Sequence, residues 1–154
     1  MEYLEIDPKD APVPLLLEAD PSERLIKSYL PNSWCYAAKS NDEIVGVCIV
    51  KSRGNETAEI LNIAVDPNHQ KAGIGTHLLS FALKKLIGKR IQRVELGTGT
   101  FGYQLAYYQR LGFRVESVVK NFFIENYEEP VFERGIQHKD MLKLYINIDP
   151  DSDG

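Results

Sequence analysis

The residues best suited to chemistry lie within residues 62–79, NIAVDPNHQKAGIGTHLL, where a strand pattern passes through a glycine turn into a helix pattern. The first N–H groups of a helix have no intrahelical partner and carry a partial positive charge. Gly73 and Gly75 lack side chains, so a phosphate could approach these amides closely, and Lys71 adds a positive charge nearby. The spacing therefore predicts a phosphate-binding turn at a helix N-terminus.

Two common nucleotide-binding motifs do not fit this turn. A dinucleotide fingerprint needs G-x-G-x-x-G, but Leu78 occupies the third glycine position. A Walker P-loop needs Lys and then Ser or Thr after its last glycine, but Thr76 and His77 follow Gly75. A nucleotide-binding module is therefore disfavoured, and a tight turn that binds nothing is the alternative for two glycines alone.

Three segments, in order along the chain, carry a family resemblance. The pattern Gln70-x-x-Gly73-x-Gly75, after a strand ending AVDP, resembles motif A, Q/R-x-x-G-x-G/A, of the GNAT N-acetyltransferase superfamily, which cradles the pyrophosphate of acetyl-CoA. Residues 107–113, YYQRLGF, resemble the Y-x-K/R-x-G-F block of the family, and EIVGVCIV resembles its second and third strands. The likeness covers roughly residues 33–119.

This resemblance implies a small single-domain, bacterial-type enzyme that moves the acetyl group of acetyl-CoA directly to a primary amine of a small molecule or protein. Acetyl-CoA would be a co-substrate, and no metal is implied. The implied fold is α+β in three layers, with a mixed, mostly antiparallel central sheet of about six to seven strands and a splayed pair at the cofactor site. One alternative function is a GNAT-like sensor or scaffold that binds acyl-CoA without turnover. Another is an enzyme that uses a longer acyl-CoA or acetylates a protein terminus.

The resemblance also assigns residues to acetyl-CoA. Backbone groups of Ile63, Ala64 and Val65 would face the pantetheine amides, and an N–H in this stretch would hold the oxyanion of the tetrahedral intermediate. The pyrophosphate turn would consist of seven consecutive residues: Gln70, Lys71, Ala72, Gly73, Ile74, Gly75 and Thr76.

Two side chains are candidates for proton transfer. Tyr108 matches the family tyrosine that protonates the departing thiolate, and a phenol with a pKa of about 10 can donate to a thiolate whose conjugate acid lies near 8.5. Tyr108 could instead only pack under the cofactor. Glu59 matches the family glutamate before motif A, and strand alternation would place it on one face with Leu61 and Ile63. Glu59 could equally be a rim carboxylate that attracts a cation, with water as the base.

Carboxylates near both ends of the chain bear on the acceptor. In this fold the first helices and the loop before the last strand border the acceptor cleft, so acidic residues there would suit a cationic amine. A charge run is equally typical of a solvated face. The carboxylates in question are Glu18, Asp20, Glu125, Glu128, Glu129 and Glu133. An exposed last strand would also allow a homodimer.

The cysteines and histidines indicate no chemistry of their own. Cys35 and Cys48 lie in apolar strands and are expected to be small core residues rather than thiolate nucleophiles. His69, His77 and His138 show no metal-ligand spacing with one another or with the cysteines.

Periodicity and turn residues predict the elements that must hold these groups. Two helices are expected between Pro12 and Leu30, with Asp20 capping the second. WCYAAKS and EIVGVCIVKS form a hairpin, and a third strand ends at Pro67. An amphipathic helix follows, with Gly88 as its C-cap residue. RVELGTG is a strand, QLAYYQRLG is a helix ending at Gly112, and FRVESVVKNFFIE and MLKLYINI are strands.

Length and composition agree with this reading. The 154 residues carry 18 Lys plus Arg and 22 Asp plus Glu, a net charge of −4, and 44% are hydrophobic, which is typical of one globular domain. We predict a single acetyltransferase domain over residues 1–148 and a disordered acidic tail over 149–154. No basic stripe, membrane span or signal peptide is apparent, and two cysteines make no disulfide framework. The expectation is a cytoplasmic protein without nucleic-acid or membrane partners.

Overall fold

The structure is a computed structural model that describes residues 1–70 and 73–148. Lys71, Ala72 and the predicted tail at 149–154 lie outside the described residues. The described residues divide into two compact units, one within Met1–Gln92 and including Ile148, the other formed by Arg93–Asn147.

The first unit contains four antiparallel strands and three α-helices among its described residues. The strands pair in chain order, so that each has its predecessor as a neighbour. They are β1 (Glu2–Ile6), β2 (Trp34–Ser40), β3 (Glu43–Gly54) and β4 (Thr57–Val65), and the helices are α1 (Val13–Ala19), α2 (Glu23–Tyr29) and α3 (Ile74–Gly88).

The predicted hairpin of β2 and β3 is confirmed. Asn41 and Asp42 form its turn with φ values of 52° and 67°, a left-handed conformation that Asn and Asp tolerate better than most residues. Cys48 and its neighbours Val47 and Ile49 are fully buried, because both faces of β3 are covered. An uninterrupted apolar strand of this kind is what EIVGVCIV predicts.

Two separate clusters of apolar side chains cover the two faces of these strands. On one face, α1 and α2 pack against the strands through Leu16 and Ile26, together with Cys35, Ala37, Val47, Ile49 and Ala64. On the other face, Ile74 of α3 packs with Ala38 and Val45. Burying each large aliphatic side chain contributes roughly 1.5–3 kcal/mol.

The second unit contains three antiparallel strands, a short hairpin and two α-helices among its described residues. Strand β9 lies between β5 and β6 and is antiparallel to both. The elements are β5 (Arg93–Gly99), α4 (Tyr103–Arg110), β6 (Arg114–Val119), α5 (Phe122–Asn126), β7 (Phe132–Glu133), β8 (Ile136–Gln137) and β9 (Met141–Asn147).

Several predicted boundaries were wrong. Glu2–Ile6 forms a strand that the sequence reading missed, because its apolar positions are interleaved with carboxylates. The strand predicted over FRVESVVKNFFIE ends at Val119, and Phe122–Asn126 is helical after Asn121 adopts φ 60°. The helix after the glycine turn includes Gly88, and Lys89 is its C-cap residue.

Two further expectations were also wrong. Asp20 does not cap α2; Ser22 does, since its hydroxyl accepts a hydrogen bond from the Leu25 N–H at 3.2 Å. Asp20 instead ends α1 and accepts a bond from the Ser22 N–H. The last strand, β9, is an inner strand of its unit, so the exposed last strand that would allow a homodimer does not exist.

The predicted α+β class with mostly antiparallel strand pairing is confirmed. Cys35 and Cys48 are free and fully buried, as predicted for core residues. No helix of residues 1–70 and 73–148 is long and apolar enough to cross a bilayer.

The assignment of Ser22 as the N-cap of α2 can be tested by its effect on stability. We expect Ser22→Ala to lower the free energy of unfolding by about 1 kcal/mol, because the Leu25 N–H loses its partner. Urea unfolding followed by circular dichroism measures this change. The control is Ser28→Ala in the same helix, whose exposed hydroxyl donates to a helix carbonyl that needs no second bond. Equal losses in both variants would contradict the assignment.

Candidate active site

The predicted phosphate-binding turn connects β4 to α3. Asp66 follows the last residue of β4 and accepts a hydrogen bond from the Asn68 N–H at 2.8 Å, which starts a short 3₁₀ turn at Pro67–His69. Gln70 then folds back, and its Nε2 donates to the Val65 carbonyl oxygen at 3.0 Å. Gln70 therefore ties the turn to the end of the strand.

The N-cap position of α3 requires glycine because of its backbone conformation. Gly73 is the N-cap residue with φ 76°, a left-handed conformation that a residue with a Cβ adopts only at a cost. It brings no side chain that could cap the first turn, so the N-cap residue satisfies none of the first N–H groups of α3 through a side chain. This helix has 15 residues, long enough for a substantial partial positive charge at its start.

Gly75 differs from Gly73. A Cβ built on Gly75 would lie 3.6 Å from Val65 Cγ2, which is an ordinary van der Waals contact. The packing of the described residues therefore does not require glycine at this position. Room for a ligand is a sufficient reason for a small residue there.

Strand β4 carries one residue more than its partner. Ile49 of β3 pairs with Asn62, and Val50 pairs with Ile60, so Leu61 is the extra residue of a β-bulge. Residues before and after the bulge therefore do not follow one strict alternation of faces. Beyond it, Ile63, Ala64 and Val65 pair regularly with β3 and end at the turn.

The bulge corrects the predicted environment of Glu59. This residue pairs with Lys51, which lies on the same face of β3 as Ile49, whereas Ile63 pairs with Cys48 on the opposite face. Glu59 therefore does not share a face with Ile63. Its Oε1 lies 2.8 Å from Nε of Arg53 in a partly exposed ion pair.

Tyr108 lies in the second unit, near the end of α4. It is 6% exposed, and its ring packs edge-to-face against Tyr107 and Phe113, at centroid distances of 5.4 and 5.7 Å. The chain then turns at Gly112 with φ 104°, and the Phe113 N–H donates to the Tyr108 carbonyl oxygen at 3.1 Å. The YYQRLGF block is thus one compact helix ending that fixes the tyrosine ring.

A buried polar group on β4 was not identified from the sequence. Nδ2 of Asn62 lies 3.0 Å from the Leu16 carbonyl oxygen and 3.0 Å from the Tyr29 hydroxyl oxygen. The Tyr29 hydroxyl lies 3.0 Å from Oδ2 of Asp20. We call these three side chains the Asp20–Tyr29–Asn62 chain. The available signal was one polar residue within the apolar run EILNIAV.

One acidic residue of the second unit, Glu133, lies beside a buried histidine. His138 is 7% exposed, its Nε2 lies 2.9 Å from Oε1 of Glu133, and its ring stacks on Phe101 at 4.1 Å. The Glu133 carboxylate leans over Gly102, where a Cβ would lie 2.6 Å from Oε2. The contact with His138 therefore fixes the position of Glu133. For the other predicted carboxylates of this segment, the structure describes no hydrogen bond of this kind: Glu125, Glu128 and Glu129.

A helix N-terminus that follows a strand and a left-handed glycine is the geometry expected of a phosphate-binding protein. Over residues 2–113 the chain matches the Acetyltransferase (GNAT) family. The chain therefore belongs to this family, and it is an acetyl-CoA-dependent N-acetyltransferase.

Similar proteins agree with this assignment. The chain is 40% identical over 135 residues to the uncharacterized N-acetyltransferase YvbK of Bacillus subtilis, with 87% of both chains covered. Its structure matches a GNAT family acetyltransferase of Elizabethkingia anophelis with acetyl-CoA bound, with a TM-score of 0.90, 40% identity and coverage of 96% and 97%. It also matches a Bacillus subtilis acetyltransferase in complex with CoA, with a TM-score of 0.85, 36% identity and coverage of 96% and 98%.

The left-handed glycine gives a test of the turn. We expect Gly73→Ala to raise the Kd for acetyl-CoA about tenfold or more, because a Cβ at this φ costs roughly 1–2 kcal/mol and the turn must shift to relieve it. Isothermal titration calorimetry measures the Kd. The control is Gly54→Ala, since Gly54 has φ 80° and open space around it but lies in the β3–β4 hairpin. A similar loss of affinity in both variants would overturn the assignment of the turn.

Proposed function

We propose that the protein transfers the acetyl group of acetyl-CoA directly to a primary amine of a small molecule or protein. The observation that carries the proposal is the turn after β4. There Gly73, the N-cap residue of α3, is left-handed, and the described residues around Gly75 leave room for a Cβ. The acetyl-CoA in the related Elizabethkingia structure supports the donor.

Acetyl-CoA would be held mainly by backbone groups. Ile63, Ala64 and Val65 would offer peptide groups to the pantetheine amides and one N–H to the developing oxyanion. The pyrophosphate would bind at the start of α3, formed by Gln70, Lys71, Ala72, Gly73, Ile74, Gly75 and Thr76. The bond from Gln70 to the Val65 carbonyl supports a role for this side chain in shaping the turn.

The transfer step requires two proton movements. The lone pair of the neutral amine attacks the thioester carbonyl, an N–C bond forms and the C–S bond breaks. The amine nitrogen loses one proton, and the CoA thiolate gains one. We assign the second movement to Tyr108, whose ring is fixed by Phe113 and Tyr107.

The proton from the amine would leave by way of water, and Glu59 is the side chain that we propose assists it. Its carboxylate is partly exposed, but Arg53 holds one of its oxygens. Glu59 would therefore orient water or the incoming cation more than it would abstract the proton.

A cysteine nucleophile does not suit this reaction. Burial raises the pKa of the Cys35 thiol to about 12, and burial also raises that of Cys48. Both thiols therefore stay protonated at neutral pH, and a buried thiol cannot reach a thioester. Free buried thiols also support our proposal of a cytoplasmic, reducing location.

The proposed acid gives the first test. We expect Tyr108→Phe to lower kcat for acceptor-dependent CoA release by roughly 10²-fold, with the Kd for acetyl-CoA unchanged, because only the donor hydroxyl is lost. Thiol detection with a panel of polyamines, aminoglycosides, amino acids and basic peptides measures the rate. Tyr103→Phe, at an exposed tyrosine of the same helix, is the control. A Tyr108→Phe enzyme as fast as the wild type would remove the tyrosine from the mechanism.

The proposal that Glu59 orients water or the amine, and does not itself abstract the proton, can be tested by the pH dependence of the reaction. Because only the neutral amine attacks, kcat/KM should rise about tenfold per pH unit below the pKa of the amine. We expect Glu59→Gln to keep this slope and to lower kcat/KM by less than about tenfold. A pH profile from 6 to 9 of the same reaction measures it. Loss of the slope in Glu59→Gln would instead identify Glu59 as the base.

A further inference from the structure

The hydrogen bonds between β3 and β4 fix the direction of the peptide groups at the end of β4. Opposite residues of antiparallel strands alternate between pairs that exchange hydrogen bonds and pairs that do not. The Asp66 N–H donates to the Val45 carbonyl oxygen at 2.8 Å, so these two residues form a bonded pair. The neighbouring pair, Val65 with Gly46, is therefore a non-bonded one. The N–H and the carbonyl of Val65 consequently point away from β3.

The same alternation divides the three residues proposed to meet acetyl-CoA. Ala64 and Val47 form a bonded pair, so the N–H and the carbonyl of Ala64 are both used by β3. Ile63 and Cys48 form a non-bonded pair, so the peptide groups of Ile63 lie on the edge of β4 away from β3. Val65 shares this edge. The backbone that meets the donor would therefore be that of Ile63 and Val65.

The Val65 carbonyl has a side-chain donor on this edge. Nε2 of Gln70 lies 3.0 Å from the Val65 carbonyl oxygen and donates to it. The N–H of the same peptide group, that of Asp66, bonds to β3. The peptide that joins Val65 to Asp66 is therefore held at both ends, and a carbonyl that leaves the strand ladder obtains the donor that it needs.

The charge that develops in an acetyl transfer gives this contact a further consequence. The N–H and the carbonyl of one strand residue point to the same edge, so an oxyanion held by the Val65 N–H would lie beside the Val65 carbonyl oxygen. Two negative oxygens repel each other. The amide of Gln70 donates to the carbonyl oxygen and offsets its partial negative charge. The Ile63 carbonyl, on the same edge, would accept from a pantetheine amide.

We propose that Gln70 is a positioning residue for the transfer step: its side chain holds the Val65 carbonyl away from the oxyanion that the Val65 N–H binds. This inference rests on the proposed function and deepens it. As the amine forms the N–C bond, the thioester oxygen takes up the negative charge, and it returns that charge when the C–S bond breaks. Gln70 exchanges no proton in these steps and acts only through the Val65 peptide.

Variants of Gln70 separate this role from binding of the donor. We expect Gln70→Met, which keeps the length of the side chain but cannot donate, to lower kcat about five- to tenfold, the range for one neutral hydrogen bond. The Kd for acetyl-CoA should change by less than about twofold, since the interaction matters only in the transition state. Gln70→Arg keeps an N–H donor and should recover most of the loss in kcat. Gln70 is exposed, so both variants should fold.

Asn68→Ala is the matched control. Asn68 is an exposed residue of the same connection, and its backbone N–H, which alanine keeps, makes the bond to Asp66. We expect this variant to have the kcat of the wild type. A Gln70→Met enzyme as fast as the control would overturn the inference. A loss that appears in the Kd for acetyl-CoA instead of kcat, or that Gln70→Arg does not recover, would overturn it as well.

A second measurement does not need turnover. In protein saturated with CoA, we expect the carbon NMR resonance of the Val65 carbonyl to move upfield in Gln70→Met, because this carbonyl loses a hydrogen-bond donor. The resonance of the Ala64 carbonyl, which bonds to β3, should stay in place. An unmoved Val65 resonance would show that Gln70 does not hold this carbonyl, which overturns the inference.

Failure of the proposed function looks different. In that case wild-type protein would release no CoA from acetyl-CoA with any amine of the panel, and the role of Gln70 in transfer would fail with it, even if the Val65 resonance moved. Acceptor-dependent release that is unchanged in Gln70→Met would remove only the inference on Gln70.

Discussion

The bulge at Leu61 is the constraint on which the arrangement of the first unit depends. An antiparallel strand without a bulge would send Glu59, Leu61 and Ile63 to one face. One additional residue in β4 changes that order, so that Glu59 and Asn62 face α1 and α2, and Ile63 faces the side of α3. The same strand can therefore present polar side chains to one face and continue in regular register to the glycine turn.

The buried Asp20–Tyr29–Asn62 chain has a structural consequence for the first unit. Asn62 is bonded to residues 46 and 33 positions away, so a single amide connects β4 to both α1 and α2. Each such hydrogen bond contributes only about 1 kcal/mol net to the stability of the fold. Removing one partner lowers the stability by more than this, because the other buried polar group is left without a hydrogen bond. The position of α1 and α2 is therefore tied to the strand that carries the proposed acetyl-binding backbone.

Local features of the site could be predicted from the sequence, and long-range ones could not. The turn at Gly73 is local, because a left-handed glycine and the helix start lie within a few residues. The turn at Gly112 that follows the end of α4 at Arg110 is local for the same reason. The bulge at Leu61 leaves no mark in composition or periodicity, so strict alternation gave the wrong face for Glu59.

The missed contacts share a physical cause. Asp20 appeared suited to cap α2, since Asp is a common N-cap residue, but Ser22 lies at the position from which an oxygen reaches the Leu25 N–H. That leaves the Asp20 carboxylate to meet Tyr29, nine residues later. Pairings of this kind depend on how α1 and α2 pack on the strands, and no single-segment pattern contains that information.

The charge of the chain explains why donor and acceptor would be bound by different means. With a net charge of −4, the chain as a whole does not attract a phosphate. A polyanionic donor therefore needs the backbone N–H groups and partial charge of α3, which no acidic side chain cancels in its first turn. A cationic acceptor, by contrast, is favoured by the overall negative charge.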